Sequence, residues 1–296
     1  MKKIFLFLAL CCVIGLYAAE KKVLTIGNSF TWSLREHFPA IAKAQGDTLT
    51  LAFANHGGCS IQRHWKYVSE EEADPAKKYY SLNGKKAKLR EVLASTQWDI
   101  VTIQQASSKS WIKGSFYPEL DNLVAYVKKH APKSQIVFQQ TWSYRSDSSL
   151  YKRKKIDQNQ MFEGIDANYK EASKKFGLEV IPTGLAVQIA RAEQKEKFIP
   201  SDPAARKNLK VGQNLVEKGS FCTGWIWKKN KKTGKKSLVC DPNHLNSRGR
   251  YLQACVWYGF VFKKSPLEIK YNGQFSPEEA AFLRQCAAKS LRFFSK

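Results

Sequence analysis

Short apolar runs alternate with longer segments of helical periodicity from residue 23 onward, and this restricts the fold more than any other feature of the chain. The first run, Val23-Leu24-Thr25-Ile26, ends at Gly27 and reads as a buried strand. Residues 34–44 follow with apolar side chains at helical spacing and stop before Gly46. Further strands are predicted at 49–54, 98–103, 135–138 and 179–181, with helices at 117–130, 159–176 and 185–192. Strands separated by helices join as crossovers rather than hairpins. They form a parallel sheet covered on both faces, so the expected class is α/β, a three-layer α/β/α sandwich. Two stretches break the rhythm: a polar insertion at 142–155 and a long basic segment at about 197–239, expected to form a lid or hairpin. Helical pattern resumes at 248–262 and again after the capping signal Ser276-Pro277-Glu278-Glu279.

The N-terminus reads as a targeting segment. Lys2 and Lys3 precede an apolar stretch that closes on Ala18-Ala19, so residues 1–19 are assigned as a signal peptide and 20–296 as one domain exported from the cytoplasm. No later segment is apolar and long enough to span a bilayer, so no stable membrane span is expected after cleavage. The formal charge is +24, of which the leader's two lysines carry two, leaving +22 on the mature chain. Such a field concentrates anionic partners, although a solvated lysine surface needs no partner. Nucleic-acid recognition would want a basic face interleaved with stacking aromatics in a known module, and none is found. Cys222 and Cys240 flank a lysine-rich stretch around Thr233-Gly234, where a disulfide and two reduced thiols are both open. The absence of a Cys-x-x-Cys pair argues against a zinc ribbon, and no metal or cofactor is expected.

In doubly wound sheets, ligands bind beyond the carboxyl ends of the strands. Asn28-Ser29, Gly57-Gly58, Gln104-Gln105 and Gln139 to Trp142 all fall there, and Asp241-Pro242-Asn243-His244 precedes a late helix. A serine hydroxyl becomes nucleophilic when a base takes its proton. His244 could act as that base, with Asp241 holding the other ring nitrogen. Read alone, Ser29 is an ordinary helix N-cap; its neighbours give it a chemical reading. The Gly-x-Ser-x-Gly elbow is absent, since position 31 is threonine.

These blocks resemble those of the SGNH (GDSL-like) hydrolase superfamily, within it a bacterial domain-of-unknown-function branch opening Ile-Gly-Asn-Ser-Phe, here Ile26 to Phe30. The resemblance implies a flavodoxin-like sheet and a metal-independent serine esterase with Ser29, Asp241 and His244 as its triad. It places the oxyanion hole at the Ser29 and Gly58 amides and at Gln104, with Gln105 in reserve, because Ile103-Gln104-Gln105 stands where the family has Gly-x-Asn-Asp. It also implies an esterified carbohydrate as substrate, and the positive charge of the chain adds the reading that this carbohydrate is acidic. Asn28, Gln105 and Trp142 are the candidate substrate contacts. Two other readings stand beside it: a lipid or thioester acyl hydrolase, and a non-catalytic polyanion-binding protein on the same scaffold. Trp65, Trp111 and Trp227 read first as partly buried core, His56 and His64 as packing residues, and His37 and His130 as surface residues.

Overall fold

The structure is a computed structural model that describes residues 18–213, 215 and 217–294. The chain begins β1 (Glu20–Gly27), α1 (Ser29–Trp32), α2 (Leu34–Ala44), β2 (Thr48–Asn55), α3 (Ile61–Ala73), β3 (Tyr80–Leu82), β4 (Lys85–Ala87) and α4 (Leu89–Ala94). It continues β5 (Ile100–Ile103), α5 (Glu119–His130), β6 (Gln135–Gln139), α6 (Ser149–Lys154), α7 (Gln158–Phe176), β7 (Val180–Ile181) and α8 (Thr183–Glu193). The last part holds α9 (Pro203–Lys207), β8 (Cys222–Lys229), β9 (Lys236–Leu245), α10 (Ser247–Phe262) and α11 (Pro277–Phe294). The leader assigned at 1–19 lies outside the described residues except for Ala18 and Ala19.

Five parallel strands in the order β2-β1-β5-β6-β7 form the central sheet. Every residue of β5 and the last five of β1 are buried, as strands covered by helices on both faces must be. Helices α2, α8, α10 and α11 pack together as one layer, and α3, α4 and α5 pack together elsewhere. This is the expected α/β sandwich. Helix α10 buries 13 of its 16 residues, which explains its near-continuous apolar sequence.

Helix α3 was not legible because its inward stripe runs Ile61, His64, Val68 and Glu71, half of it polar. The insertion after β6 is not a surface loop: residues 141–145 are all buried, with Arg145 paired to Asp147 at 2.7 Å and to Glu217. In the basic segment, β8 and β9 form an antiparallel hairpin whose turn holds Thr233 and Gly234. Its register sets Cys240 opposite Trp225 and Cys222 opposite Leu245, and both thiols are free. No helix among the described residues is long and apolar enough to cross a membrane.

Candidate active site

Where β1 ends, Asn28 rather than Ser29 caps the following helix, its Oδ1 accepting from the Phe30 amide at 3.1 Å. That one-residue shift places Ser29 in the first helical turn with its hydroxyl released from capping. Its backbone N–H belongs to the turn that has no intrahelical acceptor. Gln253 of α10 grips the same turn, donating to the Phe30 carbonyl at 3.0 Å and accepting from the Ser33 hydroxyl.

Strand β9 carries Asp241 and His244 to this turn. Ser29 Oγ lies 2.7 Å from His244 Nε2, and His244 Nδ1 lies 2.9 and 3.0 Å from the two Asp241 oxygens. Asp241 Oδ1 also accepts the His244 backbone amide at 3.2 Å, so one carboxylate fixes both backbone and ring. Burial pushes the Asp241 carboxyl up, but hydrogen bonding and the charge of His244 outweigh it and leave the carboxyl below its ordinary range. The strand is held at three successive residues. Arg145 N donates to the Pro242 carbonyl at 2.8 Å, Trp142 Nε1 to Asn243 at 2.8 Å and Thr223 Oγ1 to His244 at 3.1 Å.

The structure corrects three of the other candidates, Gln104, Gln105 and Asn28. Gln104 is fully buried, and its amide nitrogen donates to Asn28 Oδ1 at 2.9 Å rather than facing the cleft. Gln105 is also fully buried: its Oε1 accepts from the Ile61 and Ala106 amides, and its Nε2 donates to the Ser115 carbonyl at 2.7 Å. Asn28 is 2% exposed and spends its Nδ2 on the Cys59 carbonyl at 3.0 Å. Trp142 is among the residues that line the cleft, although its ring is largely covered and stacks on Phe30 with centroids 4.0 Å apart. Gln104, Gln105 and Asn28 are therefore a buried scaffold. The bond from Asn28 to Cys59 ties the turn containing Gly58 to the turn containing Ser29. Gly58 has a φ of +58°, a left-handed conformation that favours glycine, and no side chain stands within 4 Å of where its Cβ would be.

The cleft above Ser29 and His244 has a volume of about 530 Å³, within the ordinary range of small-molecule sites. Trp32, Arg35, Glu36, Ile226 and Arg250 line it, none of them singled out from sequence. Trp32 was legible in principle, since a residue three after Ser29 lies on the same helical face. His37, expected at the surface, is 3% exposed and packs near Ser247, Tyr251 and Tyr271. His64 is fully buried, its Nε2–H donating to the Gly27 carbonyl at 2.9 Å, with Tyr80 Oη 3.0 Å from Nδ1.

The arrangement defines a class first: a parallel five-stranded sandwich with the fold of SGNH hydrolases. A candidate SGNH hydrolase from Slackia heliotrinireducens has this fold at a TM-score of 0.50 and 16% identity, over 82% of this chain and 99% of that one. The chain itself belongs to the family described as Domain of unknown function (DUF4886), whose profile matches residues 22–227. The match includes Ser29 and ends before Asp241 and His244. A DUF4886 protein from Bacteroides uniformis aligns over 94% of this chain and 96% of its own, at 25% identity and a TM-score of 0.69. Among curated proteins, none matches the chain.

Proposed function

We propose that this chain is an exported serine esterase that removes acyl groups, acetyl foremost, from a carbohydrate, and that residues 20–296 form its one catalytic domain. The observation that carries the reading is the continuous hydrogen-bonded series Ser29, His244, Asp241 in an accessible cleft at the carboxyl end of the sheet. Ser29 Oγ attacks the ester carbonyl while His244 Nε2 takes its proton. The tetrahedral oxyanion is held by the backbone N–H groups of Ser29 and Gly58. Collapse expels the alcohol, which takes the proton from His244, and leaves an acyl-Ser29 ester. Water, deprotonated by His244, then attacks that ester; the acid leaves as the bond to Ser29 Oγ breaks and His244 returns the proton to that oxygen. Asp241 keeps the ring proton on Nδ1 and stabilises the imidazolium. No third oxyanion donor is assigned, because the Gln104 amide is committed to Asn28.

A sugar suits the cleft better than a long acyl chain, because the aromatic face of Trp32 stands among charged groups, Arg35, Glu36 and Arg250. The reading is tested on a panel of acetylated oligosaccharides and of aryl esters with short and long acyl chains, using wild type and Ser29→Ala. Acetate release from the sugars, lost in Ser29→Ala with its circular dichroism unchanged, supports it. A preference for long chains would shift the substrate to lipids. Inactivity of the wild type on every ester would favour a non-catalytic binding protein.

A further inference from the structure

Among the guanidinium groups that line the cleft, one has no carboxylate partner among the described residues. Glu36 pairs with Arg250 at 2.6 Å and Asp241 with His244 at 2.9 Å. Arg35 shares the lining but has neither a carboxylate nor a hydrogen-bond acceptor for its guanidinium among the described residues. Two aromatic rings hold that guanidinium in place: its carbon lies 4.4 Å from the Phe53 centroid and 5.7 Å from that of Trp32. Contact with ring faces leaves the guanidinium's N–H groups free, and such a fork recognises a planar oxyanion through two parallel bonds.

A second observation extends the site. Phe53, the ring nearest the Arg35 guanidinium, also lines a separate hollow of about 290 Å³ with Tyr79, Gly84 and Lys86. The wall opposite is the β8–β9 hairpin, which carries Asp241 and His244 near its base. Toward its far end are the exposed Lys229, Lys231, Lys232, Lys235 and Lys236, none in an ion pair among the described residues, while Lys228 lies close enough to Asp241 to favour its carboxylate. Their field favours the approach of a polyanion.

Resting on the esterase reading, we propose that the substrate is an acidic glycan ester, with Arg35 binding a carboxylate or sulfate on the sugar chain beside the scissile ester. A neutral sugar would leave the guanidinium without a partner, whereas an acidic one gains charge-assisted hydrogen bonds, equivalent to a preference of about ten- to a hundredfold.

The test compares acetate release from O-acetylated oligogalacturonate with that from the same oligomer methyl-esterified at its carboxyls, and from sulfated with unsulfated acetyl-oligosaccharides. Wild type is expected to favour the acidic member of at least one pair in kcat/KM, the preferred pair naming the anion. That preference should shrink as salt rises. Arg35→Met is expected to abolish it and Arg35→Lys to recover part. Lys128→Met, which removes an exposed charge from α5, should leave it intact. Aryl acetate turnover with no acidic preference in wild type, or a preference that survives in Arg35→Met, overturns the subsite and leaves the esterase standing. Should no ester be turned over, the esterase reading falls, and calorimetric titration of oligogalacturonate and the sulfated oligosaccharide still decides the subsite: binding lost in Arg35→Met supports it, binding unchanged or absent in wild type overturns it.

Discussion

Ser29 owes its position to its neighbours. Asn28 takes over the capping role, and its two side-chain ends reach Gln104 and Cys59, joining the loops after three strands. The polar residues at strand ends were visible in the sequence, but whether each faces the cleft or the interior depends on pleat and burial, which no motif encodes. Gln104 and Gln105 therefore read as donors to a substrate and proved to be ties within the scaffold. His64 belongs to the same scaffold, since its Nε2–H holds the Gly27 carbonyl at the end of β1. Burial drives its pKa down to about 3, so the folded protein keeps the ring neutral. The unfolded chain takes that proton near pH 6.5, so stability present above about pH 6.5 is lost as the pH falls toward 3, by roughly a few kcal/mol. Urea unfolding at a series of pH values should show this slope, and His64→Gln, which keeps a donor for Gly27, should flatten it. An equally steep slope in the variant would show that other groups govern acid sensitivity.

The hairpin is the element on which the site depends. A two-stranded ribbon is marginal by itself, so the end that carries Asp241 and His244 must be held by the body of the protein. Arg145 does much of this: its side chain is 2% exposed and bridges Asp147 and Glu217, while its backbone amide bonds the Pro242 carbonyl on β9. Gly224 passes close by, with a φ of +75°, and a Cβ there would lie 2.2 Å from Arg145 Nη1. Arg145→Met would strand the Glu217 carboxylate in a buried setting, at a cost of about 3–5 kcal/mol. Denaturant unfolding measures that loss; Glu217→Gln, which keeps a hydrogen-bonding group in place, should cost less. Equal stability of wild type and Arg145→Met would contradict the clamp. None of this was legible from composition, because a run of Trp, Ser, Tyr, Arg, Ser and Asp reads as a polar loop until its partners 70 to 100 residues away are known.

At the scale of the whole molecule, the sandwich was legible because its signals are local. Helix α2 begins and ends where its apolar periodicity does, and β1, β2, β5, β6 and β7 follow short apolar runs ending in glycine or polar pairs. What stayed hidden was set by long-range packing: the α3 stripe containing His64 and Glu71, the hairpin register that keeps Cys222 and Cys240 apart, and the buried course of residues 141–145. Ser29, Asp241 and His244 could be named from type and order, while their distances needed the fold. The central claim, that His244 activates Ser29 as a nucleophile, is tested most directly by reaction with a fluorophosphonate followed by peptide mapping. The expected result is a single adduct on Ser29, absent in Ser29→Ala and formed at least a hundredfold more slowly, on the order of a lost catalytic base, in His244→Ala. An adduct at another residue, or labelling of Ser29 at the same rate without His244, would contradict the account.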